Sequence, residues 1–125
     1  MYHVAVSRSF IAQHYLIGGD WGSENLPHSH PYRVEVEVSG EQLDSHYYLV
    51  DITALEAALE EQIARYRDRL LNDLPEFAGV NPSLEYFARL IGERIAVKLP
   101  TTGLTRLYVR LWEHENAWAA YEMTF

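Results

Sequence analysis

Four stretches of the chain alternate apolar and polar residues in the way that β-strands do. The first spans residues 2–16, and the second runs from about 30 to 39 and ends at Gly40. Two more follow at residues 106–112 and 117–125. Because residues i and i+2 of a strand point to the same face, each stretch predicts a strand with one apolar face. Arg8 interrupts the apolar face of the first stretch, which predicts a bulge or a bend near residues 7–9.

Between the second and third strands, apolar residues recur at helical spacing in two segments. The first segment follows a capping-box pattern at residues 53–56 and carries Leu55, Leu59, Ile63, Tyr66 and Leu70 on one stripe. The second follows a loop at residues 72–81, with Pro82 in its first turn and Asn81 or Ser83 as cap, and ends before Pro100. The predicted order is ββααββ, an α+β fold in which both helices cover one face of an antiparallel sheet.

Two histidines open the second strand. His28 and His30 share the face that carries Tyr32 and Val34, and His14 shares the corresponding face of the first strand. Two imidazoles on one apolar face are either core histidines or two ligands of one metal. The loop at residues 17–27 holds three glycines and a proline, and its Glu24 is poised to reach whatever the histidines face.

One carboxylate falls on a face that should be apolar. Glu113 shares the parity of Leu107, Val109 and Leu111 in the third strand. A buried carboxylate costs several kcal/mol unless it is paired or protonated. Either the strand ends before Glu113, which then lies in a solvated turn, or the carboxylate faces inward to meet a ligand with hydrogen-bond donors.

Composition narrows the class of protein. The 125 residues suit a single domain, and the absence of cysteine removes disulfides, thiolate ligands and a cysteine nucleophile. A net charge of −8 argues against a nucleic-acid partner. We find no secretory signal and no apolar run long enough to span a membrane, so we expect a cytoplasmic protein without a membrane partner.

Several short motifs occur together in one order along the chain. They are Phe10-x-Ala12-x-His14, His28-x-His30-x-Tyr32, Val50-Asp51-Ile52, Leu71-Asn72, Asn81-Pro82-Ser83-x-Glu85, and Glu113 followed eight residues later by Tyr121. Over essentially the whole chain, this combination resembles the 6-pyruvoyl-tetrahydropterin synthase and 6-carboxytetrahydropterin synthase family. The resemblance implies one pterin-binding domain, residues 1–125, with the tunnel fold. In that fold three sheets close into a barrel, and two trimers usually stack into a homohexamer.

The resemblance also implies a site. His14, His28 and His30 match the family's zinc ligands, and three imidazoles leave one coordination position open, as in catalytic zinc sites. Glu113 matches the carboxylate that anchors the pterin ring of the substrate, 7,8-dihydroneopterin triphosphate. Ser83 matches a position near the pterin, although a serine there would also cap the second helix.

The chain departs from the family's catalytic set. The usual cysteine is replaced by Glu24. The usual Asp-His pair reads Arg67-Asp68 without a gap, or Asp68 alone if one residue is missing. In one interpretation the protein is a zinc-dependent lyase that cleaves the pterin side chain, with Glu24 as acid/base, provided that burial raises its pKa, and with Asp68 assisting. In another it binds a pterin without turnover. In a third it is a structural homo-oligomer whose histidines bind no metal.

Overall fold

The computed structural model describes residues 1–125, and its elements follow the predicted ββααββ order. They are β1 (Tyr2–His14), β2 (His28–Gly40), α1 (Ile52–Tyr66), α2 (Leu84–Lys98), β3 (Arg106–His114) and β4 (Ala117–Thr124). Three short 3-10 turns lie in the connections, at Gly22–Asn25, Leu71–Asp73 and Pro75–Phe77. No helix is long and apolar enough to cross a membrane.

The four strands form one antiparallel sheet in the order β1-β2-β3-β4. Val34, Val36 and Val38 of β2 are fully buried, whereas the intervening Glu35 and Glu37 are only half-buried on the opposite face. Helix α1 packs on β1, and α2 packs on β3 and β4. The apolar parity of the strands therefore meets the helices, as predicted, and the other face of the sheet carries polar side chains.

The predicted bulge in β1 is wrong. Pairing with β2 runs without a shift from Tyr2 opposite Gly40 to His14 opposite His28. Arg8 stays on the helix-facing side at the rim of the core. There its guanidinium contacts Glu60 of α1 at 2.6 Å and Glu56 at 2.5 Å. The strand stays regular because two carboxylates of α1 pair with the Arg8 charge, which would otherwise interrupt the apolar face.

Two predicted boundaries shift slightly. β1 ends at His14 rather than at residue 16, because the backbone N–H of Tyr15 turns away to donate to Asn72 Oδ1 at 2.9 Å. The cap of α1 is Asp51, which accepts from the Thr53 N–H at 3.0 Å, so the helix begins before the predicted capping box. Ser83 caps α2, one of the two predicted caps, and Pro82 precedes the helix.

The loop between the helices is held by one carboxylate. Glu76 accepts from Nε and Nη2 of Arg65, each at 2.6 Å, and from the Tyr66 hydroxyl at 2.9 Å. The Arg65 guanidinium is the main reason that the pKa of Glu76 falls to about 2. Because the Glu76 side chain is only 12% exposed, water screens this pair weakly.

We predict that Glu76→Gln lowers the free energy of unfolding by about 1–3 kcal/mol at pH 7. The folded-state pKa lies below its usual value of 4.5, so the ionised carboxylate stabilises the fold fully above pH 4.5 and progressively less as the pH falls towards 2. Urea unfolding at pH 7 and pH 3 should therefore show a smaller difference between variant and wild type at pH 3.

Glu93→Gln is the matched control, since Glu93 forms an exposed ion pair with Arg89 within α2. We expect a change below about 0.5 kcal/mol for this control. An equal cost of Glu76→Gln at both pH values would contradict the assigned ion pair.

Candidate functional site

The pairing of β1 with β2 brings three histidines together at one end of the sheet. His14 lies directly opposite His28, and His30 lies opposite Ala12, one pleat along the same face. The ring centroids of the three imidazoles are 4.6, 4.7 and 4.8 Å apart. One ligand nitrogen from each ring lies within 4.8 Å of the others. These three residues form what we call the histidine cluster.

Hydrogen bonds show which nitrogens the cluster can offer. His28 Nδ1 lies 2.8 Å from the Leu26 carbonyl oxygen, which can only accept, so Nδ1 carries the proton and donates it. His28 Nε2 therefore keeps its lone pair. Nε2 of His28 and Nε2 of His30 are both buried without a hydrogen-bond partner. Buried nitrogens without partners are rare, and a metal ion would satisfy both, so the residues fit a bound metal.

The cluster favours uncharged imidazoles. The pKa of His14 is lowered to about 4, chiefly by burial and further by His30 and His28. Burial also lowers the pKa of His30, although the nearby Glu113 carboxylate opposes that shift. The neutral imidazole is the form that ligates metals, so His14 at neutral pH needs no deprotonation before binding.

Glu113 lies on the same face as the histidine cluster. The register of β3 with β4 shifts between Trp112 and His114, and this irregularity falls at Glu113. One carboxylate oxygen lies 2.9 Å from His30 Nε2 and 3.9 Å from His14 Nε2, without hydrogen-bond geometry to His30. The strand continues to His114, so the structure agrees with an inward-facing carboxylate rather than a solvated turn.

Glu24 lies at the border of the cluster. It belongs to the 3-10 turn Gly22–Asn25, and its carbonyl accepts from the Leu16 N–H at 2.9 Å. The charge of its carboxylate opposes the lowering of the His30 pKa, more weakly than the charge of Glu113 does. The Glu24 side chain is exposed, so the fold does not bury it as an acid/base with this role requires.

The other predicted residues lie further out. Asp68 is exposed, and its backbone N–H donates to the Ile11 carbonyl at 2.7 Å beside β1. The structure gives Asp68 no hydrogen bond or ion pair with the histidine cluster. The Ser83 hydroxyl is used as the cap of α2, where it accepts from the Tyr86 N–H at 3.1 Å.

Two partners of the cluster were not predicted. The first is the Leu26 carbonyl, which sequence patterns cannot reveal because it depends on the path of the loop. The second is Tyr32, whose hydroxyl lies 3.0 Å from His14 Nδ1. A signal for Tyr32 was present, since it follows His30 by two residues on the same face, but a tyrosine in an apolar strand is typical of core packing.

Comparison with solved structures defines the class of protein by fold. The chain superimposes on a 6-pyruvoyl tetrahydropterin synthase of Caenorhabditis elegans with a TM-score of 0.81 at 21% identity, covering 98% of this chain and 97% of that one. A catalytic-residue mutant of the Plasmodium vivax 6-pyruvoyltetrahydropterin synthase gives a TM-score of 0.82 at 14% identity, over 99% and 98% of the two chains. The fold is therefore the tunnel fold, as predicted.

Sequence comparison then identifies the family. The family model described as 6-pyruvoyl tetrahydropterin synthase matches residues 3–124. A relative from Archaeoglobus fulgidus, named "Putative 6-carboxy-5,6,7,8-tetrahydropterin synthase", is 30% identical over 116 residues, which are 93% of this chain and 91% of the relative. The chain belongs to the 6-pyruvoyl tetrahydropterin synthase family, which confirms the resemblance. Membership associates it with the lyases and synthases of pterin metabolism.

We predict that the protein binds one zinc ion per chain and that His28→Ala weakens this binding by at least 100-fold, because the variant removes one of three ligands. Titration of chelator-treated protein, with a competing zinc indicator, measures the dissociation constant. His46→Ala is the matched control, since His46 lies in an exposed turn away from the cluster. Equal zinc affinity of both variants would contradict the metal site.

Proposed function

We propose that the protein is a zinc-dependent lyase acting on 7,8-dihydroneopterin triphosphate or a related pterin. His14, His28 and His30 hold the zinc, and Glu113 anchors the pterin. One observation carries this proposal: three imidazoles and a carboxylate lie together on one face of the sheet. A carboxylate oxygen of Glu113 is 2.9 Å from His30 Nε2 and 3.9 Å from His14 Nε2. Family membership supports the pterin as the class of substrate.

Glu113 has the chemistry needed to orient a pterin. An ionised carboxylate accepts two parallel hydrogen bonds, and the pterin ring presents an N–H beside an exocyclic amine. About a third of the Glu113 side chain is exposed, so a ligand can approach it. Since the same carboxylate borders His30, a ring held by Glu113 would carry its side chain towards the cluster.

A zinc ion bound there would polarise the hydroxyl groups of the pterin side chain and make them more acidic. In the proposed cleavage, Glu24 removes a proton from the hydroxyl on the second side-chain carbon. The bond to the first carbon then breaks, and the second carbon departs as the aldehyde of a two-carbon fragment that carries the triphosphate. Return of the proton to the first carbon gives 6-hydroxymethyl-dihydropterin. The electrostatic effect of Glu24 on His30 supports this role. Asp68 makes no hydrogen bond or ion pair with the histidine cluster, so we assign the acid/base role to Glu24 alone.

A solved structure of the same fold supports a glutamate as the acid/base residue. The Plasmodium vivax protein of the same fold was solved as a variant in which a glutamate, described as a catalytic residue, is replaced with alanine. We infer that Glu24 occupies the equivalent role here, in place of the usual cysteine. Ser83, at the start of α2, remains a proposed contact of the pterin through its half-buried side chain.

The second candidate function is pterin binding without turnover. The exposure of Glu24 favours it, because an acid/base beside the zinc needs a buried carboxylate and the fold does not bury this one.

Both candidates share the proposed assembly. β1 and β4 are the two edges of the sheet, and joining edges between copies would close the barrel of a homohexamer built as a dimer of trimers. A cytoplasmic location also remains a prediction.

A product assay separates the two candidates. Zinc-loaded protein is incubated with 7,8-dihydroneopterin triphosphate, and the pterins formed are identified by mass spectrometry. We expect side-chain cleavage, with Glu24→Gln lowering kcat by about 100-fold or more while zinc affinity stays unchanged. Unchanged substrate in the presence of bound zinc and bound pterin would contradict the lyase and support the silent binder.

Glu113→Gln tests the pterin anchor separately from turnover. The amide loses the negative charge and one acceptor, so we expect pterin affinity to fall by about 10- to 100-fold, the equivalent of a lost charge-assisted hydrogen bond. Quenching of pterin fluorescence on binding reports the dissociation constant. Glu115→Gln, at a neighbouring exposed acid, should bind like wild type. An unaltered affinity of Glu113→Gln would refute the anchor.

A further inference from the structure

Tyr32 joins the hydrophobic core to the histidine cluster. Only 2% of this residue is exposed. Its ring stacks on Phe10 with centroids 5.4 Å apart and meets Phe87 edge-on at 5.4 Å. Packing from two directions leaves the ring little freedom to move. The hydroxyl is therefore held at a defined point, 3.0 Å from His14 Nδ1.

His14 is the member of the cluster that this hydroxyl contacts. It is the last residue of β1, and β1 is an edge strand of the sheet. The backbone on either side of His14 is fixed. The Gln13 N–H donates to the Arg69 carbonyl at 2.8 Å, and the Tyr15 N–H donates to Asn72 Oδ1 at 2.9 Å. His14 is also the most buried of the three histidines, at 5% exposed, so what a partner on Nδ1 sets is the orientation of the imidazole.

The Tyr32 hydroxyl is suited to hold a histidine that ligates a metal, because a hydroxyl can accept a hydrogen bond as well as donate one. When His14 Nδ1 carries the proton and donates it to Tyr32 Oη, Nε2 keeps a lone pair towards the cluster. The opposite tautomer places a proton on Nε2 and blocks ligation. A partner on the second nitrogen fixes both the tautomer and the ring orientation, and loss of such partners costs about 10- to 100-fold in metal affinity in known metal sites.

We propose that Tyr32 is a positioning residue for the metal site, whose hydroxyl holds the His14 imidazole with Nε2 facing the other two histidines. The inference rests on the proposed zinc site and deepens it. Tyr32 itself does not ligate the metal or contact the pterin in this proposal. Phe10 and Phe87 fix the Tyr32 ring, and the hydrogen bond from this fixed ring restrains the His14 imidazole.

The test compares Tyr32→Phe with Tyr66→Phe. Both substitutions keep the ring and remove one buried hydroxyl, and both rings pack against Phe87, with the Tyr66 centroid 4.9 Å from it. The Tyr66 hydroxyl bonds to Glu76 instead of to the cluster. We expect Tyr32→Phe to raise the zinc dissociation constant by about 10- to 100-fold and Tyr66→Phe to leave it within about twofold.

A second readout distinguishes positioning from a general loss of stability. In ¹⁵N-resolved NMR spectra of the zinc-loaded protein, the proton on His14 Nδ1 should be visible in wild type and in Tyr66→Phe. It should exchange faster with water in Tyr32→Phe, where no hydroxyl accepts it. Thermal unfolding of the metal-free variants confirms that each one folds.

Four outcomes would overturn the inference. Unchanged zinc affinity in Tyr32→Phe, or an equal loss in both variants, would refute the role of Tyr32 and leave the metal site standing. An Nδ1 proton that exchanges equally slowly in all three proteins would do the same. Failure of the wild-type protein to bind zinc at all would instead refute the proposed metal site, and this inference with it.

Discussion

The register between β1 and β2 is the constraint on which the site depends. A slip of one residue would move every side chain of a strand to the opposite face of the sheet. The observed register sends Val36 and Val38 into the core, and the same alternation sets His14 opposite His28 on that face. The burial that stabilises the sheet therefore also aligns the histidines, which need no separate scaffold.

The core and the site meet along a short boundary. Phe10 and Tyr32 stack at the end of the core, and Ala12, His30 and then the pair His14 and His28 follow on the same face. Beyond the core, this face carries imidazoles whose nitrogens lack hydrogen-bond partners. Glu113, at the irregularity in β3, adds a carboxylate from a third strand. A metal ligand set and an acceptor for ring N–H groups thus share one face of the sheet, which suits a ligand that needs both.

Strand parity was enough to predict most of this arrangement. Alternation placed His14, His28, His30 and Glu113 on one face, and the family resemblance, now confirmed by comparison, suggested their roles. The bulge at Arg8 was predicted wrongly because its partner carboxylates lie about fifty residues away on α1, beyond any local pattern. The exposure of Glu24 also depends on tertiary placement, which loop composition does not encode.

Zinc K-edge X-ray absorption of the loaded protein would report the ligands of the metal without relying on turnover. We expect three imidazole nitrogens at about 2.0–2.1 Å, with a further light atom completing four-coordination. A shell with fewer than three imidazoles, or an oxygen-rich six-coordinate shell, would contradict a metal centre built from His14, His28 and His30.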